Sequence, residues 1–128
     1  MDGPTPIRSY KDLEVWQLAV ELAELCYRAT ASFPREEAFG MTAQIRRASV
    51  SIAANIAEGY GRELTGSFIQ FLRVAQGSVK ELETHWVIAE RVKLATSDET
   101  AGILQLCERL SKMLRNLIRS LKRKAAAE

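Results

Sequence analysis

Histidine is almost absent from this chain, with one residue, His85, in 128. A di-iron centre in a helical bundle needs two Glu-x-x-His motifs and two further inward glutamates. The residue three before His85 is Leu82, so that site fails on count and on spacing. No nucleophile–base pair suggests a hydrolase triad either. His85 is expected at the rim, paired with Glu81 one turn earlier. There are only two cysteines, Cys26 and Cys107, each within an apolar stretch and without metal-ligand spacing. They read as buried thiols of a reducing compartment. Gly59-Tyr-Gly61-Arg-Glu-Leu64 lacks the third glycine of a dinucleotide loop, and no strand precedes it. No apolar run approaches the roughly 20 residues that span a bilayer, and no basic-then-apolar leader opens the chain. These absences predict a cytoplasmic, non-enzymatic protein with no metal, no cofactor, no membrane partner and no small-molecule substrate.

Three prolines and seven glycines leave room for long helices, in a chain 47% hydrophobic and 27% charged. The length fits one domain that buries a core unaided. Four segments carry apolar residues at spacings of 3 and 4. The first, about Lys11 to Ala31, has a seam of Leu13, Trp16, Val20, Ala23, Tyr27 and Thr30, opened by a Ser9–Asp12 capping box and closed by Phe33-Pro34. The second, about Met41 to Tyr60, has Met41, Ile45, Ala48, Ile52, Ile56 and Gly59, with Gly59 and Gly61 expected to supply a left-handed stop. The third, about Thr65 to Lys93, has Phe68, Leu72, Ala75, Val79, Leu82, Trp86 and Ala89, with Thr65 as its N-cap. The fourth, about Ser97 to Lys124, has Ile103, Leu106, Leu110, Met113, Leu117 and Leu121, capped by Ser97. Short connections predict an all-α, antiparallel up-down four-helix bundle over residues 10–124, with a flexible arm over 1–9 and a frayed tail over 125–128.

The net charge of +2 conceals an asymmetry. Seven of the 18 basic side chains lie within residues 109–128, against one acid. Lys112, Arg115, Arg119 and Lys122 recur at spacings of 3, 4 and 3, with Arg109 and Arg123 flanking. One helix face would then present a row of cations opposite Leu110, Leu117 and Leu121, suited to phosphates. Arg46, Arg47 and Arg62 join the candidate phosphate contacts. Arg46 and Arg47 point about 100° apart, so one of them must reach solvent or a partner. The small-residue stretch around Ser49, Ala53 and Asn55 lets helices approach closely, and Asn55 is placed to set register. Glu58 is a candidate partner for Arg62 in an interfacial ion pair, and Ser49, Ala53, Asn55 and Glu58 together are the residues expected at an oligomer interface or to set register. Two readings stay open: an oligomeric scaffold binding nucleic acid, expected to be RNA, and a protein–protein adaptor without nucleic acid. In the second, the basic row would meet Glu14, Glu21 and Glu24 of a neighbour.

Several motifs occur together: Tyr10-Lys-Asp-Leu-Glu-Val-Trp16, Phe33-Pro-Arg-Glu-Glu-Ala-Phe39, Gln44-Ile-Arg-Arg-Ala48, Ser51-Ile-Ala-Ala-Asn-Ile-Ala-Glu-Gly-Tyr-Gly-Arg62 and Phe71-Leu-Arg-Val-Ala-Gln-Gly-Ser-Val-Lys-Glu-Leu-Glu83. With them, residues 10–95 resemble the bacterial 23S rRNA-intervening-sequence proteins; the fourth helix is similar only in kind. The resemblance implies an antiparallel four-helix bundle that assembles as a homopentamer around a central channel, with a molecular role still poorly defined. A distant relative, the accessory protein of diversity-generating retroelements, is a pentamer that binds nucleic acid and a reverse transcriptase. Ala53 and Ala54 stand where that family often has proline or serine.

Overall fold

Regular structure begins at a capping box. In the computed structural model, which describes residues 6–127, the Ser9 hydroxyl accepts from the Lys11 N–H at 3.1 Å, and the Asp12 carboxylate accepts from the Ser9 N–H at 3.2 Å. The box closes a 3₁₀ turn, Tyr10–Asp12, rather than the first α-helix, because Leu13 is extended. Four α-helices follow: α1 Glu14–Thr30, α2 Met41–Gly61, α3 Thr65–Arg91 and α4 Ser97–Ala127. Among the described residues there is no strand. The predicted arm falls partly on residues 1–5, outside the described residues. Its remainder is tied down by the Arg8 N–H, which donates to Asp12 at 2.9 Å. α4 stays helical through Ala127, past the predicted start of fraying.

The caps differ in detail from the sequence expectations. Thr65 is the first residue of α3 and makes no cap bond; Leu64 precedes it in extended geometry. Thr96, not Ser97, caps α4. Its hydroxyl accepts from the Glu99 N–H at 3.1 Å while the Glu99 carboxylate accepts from the Thr96 N–H at 3.0 Å. This reciprocal pair satisfies two helix-end donors and sets a carboxylate at the positive end of the dipole.

Neither Gly59 nor Gly61 takes the left-handed conformation. That geometry falls on Glu63, at φ 61°, two residues beyond the helix. Gly59 is needed for another reason. A Cβ there would lie 2.6 Å from the Cβ of Phe71, inside any real contact, so the glycine lets α3 close on α2. A second small-residue contact follows two turns earlier, where the Ser51 and Ser78 hydroxyls meet at 3.0 Å.

α1 packs on α2, α2 on α3, α3 on α4, and α4 on α1, so α2 and α4 stand diagonally across the bundle. The four enclose one core, with Trp86, Leu22, Ile52, Leu72, Leu82, Leu110 and Leu114 fully buried. Each such aliphatic side chain contributes roughly 1.5–3 kcal/mol by leaving water. Phe33, from the α1–α2 connection, meets the Trp86 ring edge-on at 6.0 Å and closes one end.

On α2 and α3 the predicted seams match the buried residues, apart from the half-buried ends Met41 and Phe68. On α1 they do not. The core side is Val15, Leu18, Ala19, Leu22, Cys26 and Thr30, whereas Trp16, Val20 and Ala23 are half-buried and Tyr27 is exposed. α1 is apolar over more than one stripe, and period alone does not choose between neighbouring stripes. α4 shows a milder shift: Cys107, Leu114 and Ile118 join Ile103 and Leu110 inside, and Leu106, Met113, Leu117 and Leu121 flank them.

Gly59→Ala therefore forces α2 and α3 apart and should lower stability by roughly 1–3 kcal/mol. Gly61→Ala, with nothing within 4 Å of its added Cβ, should leave stability unchanged or raised. Thermal denaturation of the pair checks both.

Burial pushes the Cys26 thiol up to about 11 and the Cys107 thiol up to about 12, the latter with help from the Glu83 carboxylate. For Cys26, contact with the Trp86 indole opposes the rise slightly; the indole Nε1 has no hydrogen bond of good geometry. Unfolded thiols ionise near 9, so above that pH the unfolded chain binds fewer protons than the folded one. The thiols' contribution is intact below pH 9 and is lost as pH climbs from 9 through 11–12. Urea denaturation at pH 8 and pH 11 should show a loss on the order of 2 kcal/mol per thiol, absent in a Cys26→Ala/Cys107→Ala variant.

Candidate nucleic-acid interface

The cationic row on α4 follows from helix geometry. Residues 112, 115, 119 and 122 share one side, and seven residues advance about 10 Å along the axis. Lys112, Arg115, Arg119, Lys122 and Arg123 are all exposed. Lys112 is partly neutralised, because Glu108 reaches it at 3.4 Å from one turn earlier. That pair is solvent-exposed on both sides and weak. Arg115, Arg119, Lys122 and Arg123 have no ion pair among the described residues.

The three candidate arginines outside α4 fare differently. Arg46 is half-buried and bound within its own chain. Its Nε donates to the Thr30 hydroxyl at 3.0 Å, its terminal nitrogen donates to the Tyr27 carbonyl at 3.3 Å, and its guanidinium lies 4.5 Å from the Tyr27 ring centre. A cation is thereby held on the last turn of α1, where the dipole is negative and carbonyls lack partners. Arg47 is the neighbour that reaches solvent. Arg62 pairs with Glu58 of its own helix at 2.9 Å, an exposed contact within one chain, and covers the Phe71 ring at 5.2 Å. Arg46 and Arg62 are each engaged within their own chain, so neither is free to extend the α4 row.

Two basic residues that sequence reading passed over do face the row. Arg73 and Lys80 of α3 line a groove of about 390 Å³ with Arg115 of α4. The available signal was their spacing of seven, two turns on one helix face; the facing partner on α4 could not be read from it. Lys80 also contacts Glu83 at 3.0 Å.

The residues expected at an assembly surface divide as well. Ser49 is fully buried inside its own bundle, its hydroxyl donating to the Arg46 carbonyl at 2.9 Å, so it faces no neighbour. Asn55 is half-buried and donates to the Ser51 carbonyl at 2.8 Å and to the Ser51 hydroxyl at 3.0 Å. With the Ser51–Ser78 contact it forms a polar bridge from α2 to α3. Glu58 is exposed and engaged by Arg62. Ala53 is half-buried at the bundle's outer side. It lines an open apolar groove of about 590 Å³ between α1 and α2, together with Trp16, Val20, Ala23, Tyr27 and Ala57. This groove is where the sequence-derived seam of α1 points.

Among the described residues, no group of three or more His, Cys, Asp and Glu side chains could hold a metal. His85 meets Glu81 at 3.2 Å, as expected. Among the described residues, no helix is long and apolar enough to cross a membrane.

The geometry defines an all-α protein of four helices with a cationic last helix and an apolar groove between its first two. A sequence model of the 23S rRNA-intervening sequence protein family matches residues 11–116, and the chain belongs to that family. The match reaches well into α4, further than the motifs legible in the sequence, and ends before Arg119, Lys122 and Arg123. Among solved structures, the chain is similar to a protein of unknown function from the S23 ribosomal protein family of Bacteroides thetaiotaomicron. The two are 25% identical, with a TM-score of 0.73, over 81% of this chain and 97% of the other. No curated protein matches the chain.

Arg46→Ala should lower stability by about 1–2 kcal/mol through loss of the α1 C-terminal contacts, with little effect on binding of nucleic acid. Thermal denaturation beside an RNA gel shift separates the two effects.

Proposed function

We propose that this protein is a non-enzymatic, oligomeric four-helix scaffold that contacts RNA through the exposed cations of α4. The observation that carries the reading is the run Arg115, Arg119, Lys122 and Arg123, exposed on one helix without an acidic partner among the described residues. Like charges so close together repel one another, and a polyanion removes that repulsion. Phosphate contacts of this kind position a nucleic acid without reading its bases, and release of counterions makes the binding salt-sensitive. Arg46 and Arg62 leave the set of contacts, since each already serves a partner within the chain.

The helices are taken to run up and down. Lining residues support this order: one groove joins Phe68 of α3 to Leu117 and Leu121 of α4, and another joins Arg73 and Lys80 to Ser111 and Arg115, so one number falls as the other rises. Assembly is assigned to the α1/α2 groove. Tyr27 and Val50 beside it are 43% and 46% exposed, a poor arrangement for an isolated chain. Its alanines allow a helix of a second copy to approach closely. A pentamer is the state that the family resemblance suggests, and the cytoplasm is its proposed setting.

The parent chain should shift a short single-stranded RNA, and Arg119→Ala/Lys122→Ala/Arg123→Ala together should weaken that binding at least about tenfold. The salt dependence should fall by a slope of about 2, from three lost phosphate contacts. Unchanged binding by the triple variant would remove the row from the mechanism. A defined oligomer that binds no RNA at low salt would favour the adaptor reading instead. Light scattering on Ala53→Glu, which sets a charge in the groove, should show a smaller particle.

A further inference from the structure

The α3/α4 groove differs from the open face of α4 in having a built floor. It is lined by Arg73, Gln76, Gly77 and Lys80 from α3 and by Ser111 and Arg115 from α4, with no carboxylate in the lining. Ser111 is 8% exposed, and its hydroxyl is buried without any hydrogen-bond partner. A buried hydroxyl without a partner is unfavourable, and a serine within a helix ordinarily escapes this by bonding a carbonyl one turn back. Thr30, Thr84 and Thr100 do so in this chain, each donating to the carbonyl four residues earlier. Ser111 does not, so its hydroxyl stays unpaired beneath the groove.

Gly77 is a second, independent feature. It sits in the middle of a 27-residue helix, where glycine is unfavourable relative to alanine. A Cβ there would meet nothing within 4 Å, so packing inside the bundle does not require the glycine. Its bare backbone leaves the groove open beside Ser111, as suits close approach of another group. The charge around that opening has one sign. Arg73 and Arg115 have no ion pair among the described residues, and only Lys80 has a counter-charge, in Glu83. An orphaned hydroxyl, an amide side chain and unpaired guanidiniums around a groove of about 390 Å³ match the donors that a tetrahedral oxyanion accepts from.

From this juxtaposition we infer that the α3/α4 groove is a discrete phosphate seat, with Arg73, Arg115 and the Ser111 hydroxyl as principal donors and Gln76 and Lys80 at its edge. The group it holds is a backbone phosphate of the nucleic acid that tracks the α4 row, and this assignment of the source rests on the RNA-binding reading above. Arg115 belongs to both the row and the seat, so a strand following α4 would set one phosphate into the groove.

The test uses the full chain and a short single-stranded RNA, with fluorescence anisotropy for binding and thermal denaturation for folding. Ser111→Ala removes an unsatisfied hydroxyl, and Gly77→Met fills the groove with a good helix former. Each should leave the thermal midpoint unchanged or raised while weakening RNA binding about tenfold, the loss expected for a hydrogen bond to a charged group. Arg73→Ala should reduce the salt slope by about 0.7. If these variants bind RNA as the parent does while the Arg119/Lys122/Arg123 triple variant does not, the row stands and the seat is overturned. If the parent binds no RNA, the row reading fails by itself, and inorganic phosphate decides the seat. Saturable shifts of the Gly77 and Ser111 amide resonances, lost in Arg73→Ala, would support a seat for free phosphate; no shift would overturn it.

Discussion

The close approach of α2 to α3 is the constraint on which the other contacts depend. Gly59 admits Phe71, and Ser51 reaches Ser78, so the two helices lie near enough for side chains one or two carbons long to bridge them. Larger residues at these places would open the pair and let water reach Ile52, Ile56, Leu72 and Val79. With α2 and α3 joined in this way, α1 and α4 cover their remaining apolar flanks and meet each other. Small residues on facing helices thus determine the spacing, and the large aliphatics fill what the spacing leaves.

Charge is distributed around this frame unevenly. At the end of α1, a single arginine from α2 binds a hydroxyl, a carbonyl and an aromatic face, which is capping by a residue remote in sequence. Along the outer side of α4, guanidinium and ammonium groups stand without partners among the described residues. The two situations differ in environment rather than in residue type. An arginine beside the free carbonyls of a helix end is drawn to them, while an arginine in mid-helix finds only neighbours of its own turn. The apolar surface is also uneven: the small residues of α2 serve α3 on one side and form the wall of an open groove with α1 on the other.

The number of helices, their approximate limits and the seams of α2 and α3 were legible in the residues, because Ile45, Ile52 and Ile56 on α2 and Leu72, Leu82 and Trp86 on α3 mark one stripe with large side chains. The α1 seam was misplaced for the opposite reason. Trp16, Val20, Ala23 and Tyr27 keep the helical period as well as Val15, Leu18, Leu22 and Cys26 do, and periodicity ranks neither above the other. Caps were legible as neighbourhoods and not as positions. Thr96 and Ser97 are adjacent hydroxyl residues before the same helix, and the bond that chooses between them requires the chain to turn at Lys93, which adopts φ 67°.

For the candidate site, the residue types and their spacing along α4 established by themselves that one helix would carry a row of cations. That is a property of one helix and does not depend on what packs against what. Only the tertiary structure decided that Arg46 is bound to α1, that Ser49 faces inward, that Lys112 shares its charge with Glu108, and that Arg73 and Lys80 stand across a groove from Arg115. Those are statements about facing pairs. Period and spacing determine which side of its own helix a residue occupies; the rotation and register of two packed helices determine what it meets.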